Sequence, residues 1–302
     1  MSGFTAKALR CADLYEYLEA LTDGCPEMGI EVFGKTMMGR NIPAVTVGEG
    51  ETGLLLVSGH HASEWITGLA LLRFLYELSD AIRMKRKIYG LDTGFLLSQK
   101  RLTVVPLLNI DGAALSIDGL PGDHPLRERL LGMNGGSEDF THWQANARGV
   151  DLNHNYAAGF AEYRKIEAEN GIFGGAPTKY SGTYPESEPE TAALCALIRS
   201  AGFRAVVSLH TQGEEVYYST LGYAPAGARK TAEAIVRLTG YRLSAPSGTA
   251  AYGGLTDWFI TEFDRPAFTL ECGKGKSPLP LESELGIYLR LRRFLFTLPT
   301  MV

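Results

Sequence analysis

Two histidines and a glutamate stand where an apolar run stops, in Val57-Ser58-Gly59-His60-His61-Ala62-Ser63-Glu64-Trp65. Leu54, Leu55, Leu56 and Val57 read as a buried strand, and a helical pattern begins at Glu64, so the polar groups occupy a strand-to-helix turn. His61 and Glu64 are three apart, a spacing that lets an imidazole and a carboxylate converge on one ion. His210 directly follows a second apolar run, Arg204-Ala205-Val206-Val207-Ser208-Leu209. Two histidines and a carboxylate with an open fourth position form the ligand set of a catalytic zinc site. A further carboxylate, Glu271, ends the run Ala267-Phe268-Thr269-Leu270. The spacing alone leaves the matter open, because HxxE is common by chance and a histidine after a strand is equally a hydrogen-bonded structural residue.

The elements that must position these groups follow from hydrophobic periodicity. Strands are expected at 44–47, 54–58, 102–108, 205–210, 215–219 and 267–271. Helices are expected at 6–21, 64–81, 187–201, 227–239, 254–262 and 281–296. Ser187-Glu188-Pro189-Glu190 is a capping box with proline in the first turn, where its missing N–H costs little. Strands separated by helices predict an α/β fold, a single domain over residues 1–302 with a largely parallel sheet covered on both faces. Function in such sheets gathers at the carboxyl ends of strands. Residues 117–149 carry Pro121-Gly122-Asp123 and Asn134-Gly135-Gly136 with few periodic apolar positions, which predicts a long functional loop.

Composition narrows the classes. With 302 residues, 45% hydrophobic and 21% charged, the chain has the make-up of an ordinary globular protein. A net charge of −5 offers no electrostatic footprint for nucleic acid or an anionic membrane. No stretch approaches a membrane span of about 18 apolar residues. The first twenty residues form an amphipathic pattern rather than a signal peptide. The four cysteines have no CxxC spacing and read as reduced thiols, which suits a cytoplasmic location. Gly273-Lys274-Gly275-Lys276-Ser277 is no phosphate loop, since the first glycine of that motif would fall on Leu270 and Pro278 follows.

Seven segments, met in order, then decide the reading. Gly34-Lys35-Thr36-Met37-Met38-Gly39-Arg40 is similar to GxSxxGR, with Thr36 in the serine's place. The His61 turn is similar to GxHxxEWI. Pro106-Leu107-Leu108-Asn109-Ile110-Asp111-Gly112 is similar to PxxNPDG, and Gly149-Val150-Asp151-Leu152-Asn153-His154-Asn155 to GVDLNRN. Ser208-Leu209-His210, Gly253-Gly254-Leu255-Thr256-Asp257-Trp258 and Thr269-Leu270-Glu271 complete the set. Together they resemble the zinc carboxypeptidase family. The resemblance implies a mixed eight-stranded sheet between helices and one Zn²⁺ per chain held by His61, Glu64 and His210. It makes His60 a neighbour, Asp151 the partner of the His61 ring N–H, and Glu271 the general base.

Two departures from the family bear on substrate. Gln144 stands where the resemblance expects an oxyanion-binding arginine, leaving Gln144 itself or nearby Arg148 as donor. His154, after Asn153, stands where an arginine would grip a terminal carboxylate. Arginine brings permanent charge and a two-pronged fit, and neutral histidine brings neither. Thr256, at the base of the expected specificity pocket, is small and polar. The family's mobile tyrosine aligns on Thr249, with Tyr252 close by. The segment 134–153 and Glu271-Cys272-Gly273-Lys274-Gly275-Lys276 resemble bacterial γ-D-glutamyl-L-diamino acid peptidases, implying a murein-derived peptide substrate. An ordinary metallocarboxypeptidase with its carboxylate partner at Arg148 or Lys274, an N-acyl amino acid deacylase and a wall-peptide-binding pseudoenzyme are the alternatives.

Overall fold

The computed structural model describes residues 4–302, apart from the Thr249 side chain. Among the described residues the chain forms ten strands and ten α-helices. In chain order the strands are β1 Met28–Lys35, β2 Asn41–Val47, β3 Thr52–Ser58, β4 Lys87–Ile88, β5 Leu91–Asp92, β6 Lys100–Val105, β7 Ala205–His210, β8 Glu215–Tyr217, β9 Arg242–Leu243 and β10 Ala267–Glu271. The helices are α1 Cys11–Gly24, α2 Ile66–Arg83, α3 Thr93–Gln99, α4 Ile110–Asp118, α5 Arg127–Met133, α6 Phe160–Glu169, α7 Pro189–Ala201, α8 Ala228–Thr239, α9 Leu255–Phe263 and α10 Glu284–Thr297.

Eight strands form one sheet in the order β1-β2-β6-β3-β7-β10-β8-β9, and β4 with β5 makes a separate small hairpin. The four central strands β6, β3, β7 and β10 are mutually parallel. Antiparallel pairs flank them, β1 with β2 and β2 with β6 on one side, β10 with β8 on the other. The sheet is therefore mixed and largely parallel, as expected. Central strands buried on both faces need continuous apolar runs. Gly53–Ser58 of β3 and all of β7 meet that need by being buried throughout.

Helix α2 packs on α10 and α1, α10 also on α8, while α7 lies against β1 and α9 against β7 and β10. A smaller satellite cluster of Ala62, Leu115, Leu130, Phe140, Trp143 and Ala145 sits apart from this core. It accounts for a departure from the sequence reading. Residues 117–149 are not a plain loop, because α4 runs into them and α5 forms inside them, with Leu130 buried in the satellite.

Register brings the chemistry together. Ser58 pairs with Leu209, and His210 pairs with Glu271, so β3, β7 and β10 end side by side. β3 then turns at Gly59, whose φ of 70° favours glycine. A Cβ there would also meet the Leu107 side chain at 2.5 Å, so any other residue would force Leu107 to shift.

Candidate metal centre and substrate cavity

His61, Glu64 and His210 converge, each offering one ligand atom within 4.8 Å of the others. The His61 Nδ1 lies 2.9 Å from Glu64 Oε1, and His210 Nδ1 lies 3.0 Å from Glu64 Oε2 and 3.3 Å from His61 Nδ1. The opposite ring nitrogens are held from behind. The Nε2 of His61 is 3.2 Å from Asp151 Oδ1, and His210 Nε2 is 3.1 Å from the Ser208 hydroxyl. Two imidazole nitrogens and a carboxylate facing one another, with their outer nitrogens oriented by further groups, fit a three-ligand Zn²⁺ site. His60 turns elsewhere. It is fully buried, with Nε2 2.9 Å from the Tyr156 hydroxyl.

The charges in this cluster set one another. Burial works against charging His61, but Glu64 and Asp151 outweigh it and raise that imidazole well above its ordinary range. Burial likewise disfavours the Glu64 carboxylate, yet His61 and His210 bring it down to about 2. Asp151 is held well below the usual carboxylate range by His61, against its own burial. Glu271 goes the other way, raised by burial first and by the Glu64 charge second. A dication beside these groups favours the ionised form of Glu271 and competes with protons for the imidazoles.

A cavity of about 210 Å³ opens on this centre, and Asp151, Gln144, Asn153, His154, Tyr252, Thr256 and Glu271 all line it with His61. The Gln144 Oε1 accepts from the Thr178 hydroxyl at 2.5 Å, while its backbone carbonyl accepts from Ala62 N–H at 2.9 Å. That second bond ties the Gln144 wall to the metal turn. Asn153 Oδ1 accepts from the Leu255 N–H, and the Thr256 and Thr269 hydroxyls are 2.7 Å apart. His154 is buried, with Nδ1 2.9 Å from Tyr252 O and its ring stacked on Tyr163 at 4.0 Å. Gly253 permits this approach, since a Cβ there would sit 2.8 Å from His154 O and its φ is 74°.

Two residues with sequence-assigned roles lie elsewhere. Arg148 is not on the cavity wall; its half-exposed side chain puts Nε 3.6 Å from Glu188 Oε2, a buried oxygen that also accepts from Asn146. Lys274 pairs with Glu214 at 3.1 Å and is also off the wall. Thr249 has a side chain outside the described residues.

The wall also contains residues that the sequence reading missed, among them Lys179, Thr178, Tyr217, Thr269 and Asp257. Thr269 was findable, because it precedes Glu271 by two on a strand and so shares its face. Nothing in the sequence around Thr178 and Lys179 announces them.

Two expectations follow from these contacts. Replacing Asp151 by Asn removes the charge behind His61 and lowers zinc affinity about 10- to 100-fold, read by competition with a chelator. Unchanged affinity would deny Asp151 its orienting role. Burial pushes the Asp257 carboxyl up to about 6, against pulls from Thr220 and the Gly254 N–H. The folded chain thus holds this proton more tightly than the unfolded chain, whose aspartates titrate near about 4. The resulting stability is complete below about pH 4 and lost as pH rises through about 6, an effect of about 3 kcal/mol. Denaturant midpoints of wild type and Asp257→Asn should diverge across that window; parallel curves would refute the assignment.

The zinc carboxypeptidase family profile matches residues 14–290. The chain belongs to the zinc carboxypeptidase family. No helix among the described residues is long and apolar enough to cross a membrane. It is 34% identical over 264 residues to gamma-D-glutamyl-L-diamino acid endopeptidase 1 of Lysinibacillus sphaericus. The match takes in 85% of this chain and 65% of that protein, so the chain spans just under two thirds of its relative's length. Among solved structures, thrombin activatable fibrinolysis inhibitor superposes with a TM-score of 0.74 at 18% identity, over 98% of this chain and 73% of that one. Murein-tripeptide amidase MpaA from Escherichia coli O157 superposes at 0.53 with 22% identity, over 88% of this chain and 91% of that one. These two likenesses establish the shared fold.

Proposed function

We propose that this protein hydrolyses the amide bond between the side-chain carboxyl of D-glutamate and a diamino acid, such as meso-diaminopimelate, in murein-derived peptides. His61, Glu64 and His210 hold the zinc, and Glu271 is the general base. The observation that carries the substrate reading is His154. The position where an arginine would bind a peptide's terminal carboxylate holds a buried imidazole, bonded to Tyr252 O and stacked on Tyr163. Burial lowers its pKa, which favours the neutral ring. Such a group grips a terminal α-carboxylate less firmly than arginine would, which favours leaving residues that, like diaminopimelate, offer the wall further polar groups. The relationship to the Lysinibacillus endopeptidase supports the same reading.

When bound, zinc supplies Lewis acidity that draws the pKa of its water from about 16 toward about 7 and polarises a carbonyl. Glu271, beside His210 at the strand end, takes the proton of the attacking water and passes it to the leaving nitrogen. Gln144 donates to the developing oxyanion. Its Oε1 is already engaged by Thr178, which keeps the N–H side for that purpose. Asn153, Tyr252 and Thr256 line the space for the leaving diamino acid. Mass spectrometry of L-Ala-γ-D-Glu-meso-diaminopimelate and of a standard C-terminal peptide tests the reading. Cleavage of the first at its γ-glutamyl bond is expected; cleavage of the second alone would overturn it.

A further inference from the structure

A γ-linked glutamyl residue differs from every α-linked one in keeping its own α-carboxylate free, on the acyl side of the bond to be cut. An enzyme for such bonds gains by reading that extra negative charge. The carboxyl groups of Asp151, Asp257 and Glu271 line the same wall. Lys179 is the one lysine or arginine lining the cavity among the described residues.

Its placement is specified by the backbone. Lys179 has φ of 64°, a left-handed conformation that disfavours a lysine, and no other non-glycine wall residue shares that sign. The conformation is held by the Lys179 N–H donating to Asp151 Oδ2 at 3.0 Å. No acidic side chain of the protein forms an ion pair with Lys179 among the described residues, unlike Lys274 and Arg148, which pair with Glu214 and Glu188.

Contacts order the wall. Lys179 and Thr178 bond Asp151, which bonds His61; Thr178 also bonds Gln144. On the other strand end, Glu271 shares a face with Thr269, which bonds Thr256, next to Asp257. Lys179 thus follows directly on Thr178, whose hydroxyl bonds the oxyanion donor Gln144. The oxyanion develops on the acyl carbonyl, so Gln144 marks the acyl side of the cavity.

Resting on the γ-glutamyl reading above, we propose that Lys179 is the specificity residue that binds the free α-carboxylate of the γ-linked glutamyl residue. A charge-assisted contact of this kind sets the expected preference at about tenfold to a hundredfold in kcat/KM.

The test uses L-Ala-γ-D-Glu-meso-diaminopimelate and its counterpart with the glutamyl α-carboxylate amidated, each given to wild type, Lys179→Asn and Lys179→Arg. Asparagine tolerates the left-handed backbone, so zinc content and Tm check folding independently of charge. Wild type should prefer the free carboxylate by the stated factor. The preference should collapse in Lys179→Asn, through KM more than kcat, and return in Lys179→Arg. A preference that survives in Lys179→Asn, or an equal loss on both substrates, would overturn the proposal. Failure of wild type to cleave either substrate would instead sink the γ-glutamyl reading on which it stands.

Discussion

Glu271→Gln lowers kcat on a γ-glutamyl substrate by about 10³, within the range of about 10²–10⁴ for a positioned general base, while the purified protein keeps its zinc. The substitution is close to isosteric, so the strand end and its pairing with His210 survive. What disappears is the ability to accept a proton from water. The metal should stay, because Glu271 contributes no ligand atom to the converging set of His61, Glu64 and His210. Removing its charge even relieves the repulsion that Glu64 imposes on it. Turnover numbers together with zinc content by atomic emission give the answer. A variant with near-wild-type turnover would move the base elsewhere.

His210→Ala has the opposite profile: zinc no longer co-purifies and activity is lost with it. His210 and Glu64 are only 1% and 2% exposed, so the substitution opens a gap on the buried side of the ligand set. One of three ligands goes, and Glu64 keeps His61 as its remaining imidazole partner. Leaving a buried acceptor without its partner costs about 1–3 kcal/mol, so Tm of the metal-free variant should fall below that of metal-free wild type. Stoichiometric zinc in the variant would refute the ligand assignment.

Much of the fold was legible because central parallel strands must be apolar on both faces. The runs 205–210 and 267–271 coincide with β7 and β10 to the residue. β1 escaped notice for the converse reason. It is an edge strand, exposed over most of its length, and Met28–Lys35 shows no clean alternation of burial. Helices α3 and α5, at seven residues each, are too short to set up a period, and α6 buries only Tyr163 and Glu167. The placing of the candidate site was legible in part. His61, Glu64, His210 and Glu271 sit at strand ends, where polarity interrupts an apolar run. Lys179 sits in a stretch without regular structure, where a lysine carries no signal until the chain is folded. Arg148 looked equally available from sequence, and only tertiary pairing with Glu188 removes it from the cavity.

The satellite of Ala62, Leu115, Leu130, Phe140, Trp143 and Ala145 has a bearing on how such a protein diversifies. It gives the rim that carries Gln144 a private foundation, joined to the catalytic turn through Ala62 yet separate from the packing beneath the sheet. Mutational drift in that rim can exchange one clientele of peptides for another while the scaffold that aligns the reactive groups stays untouched.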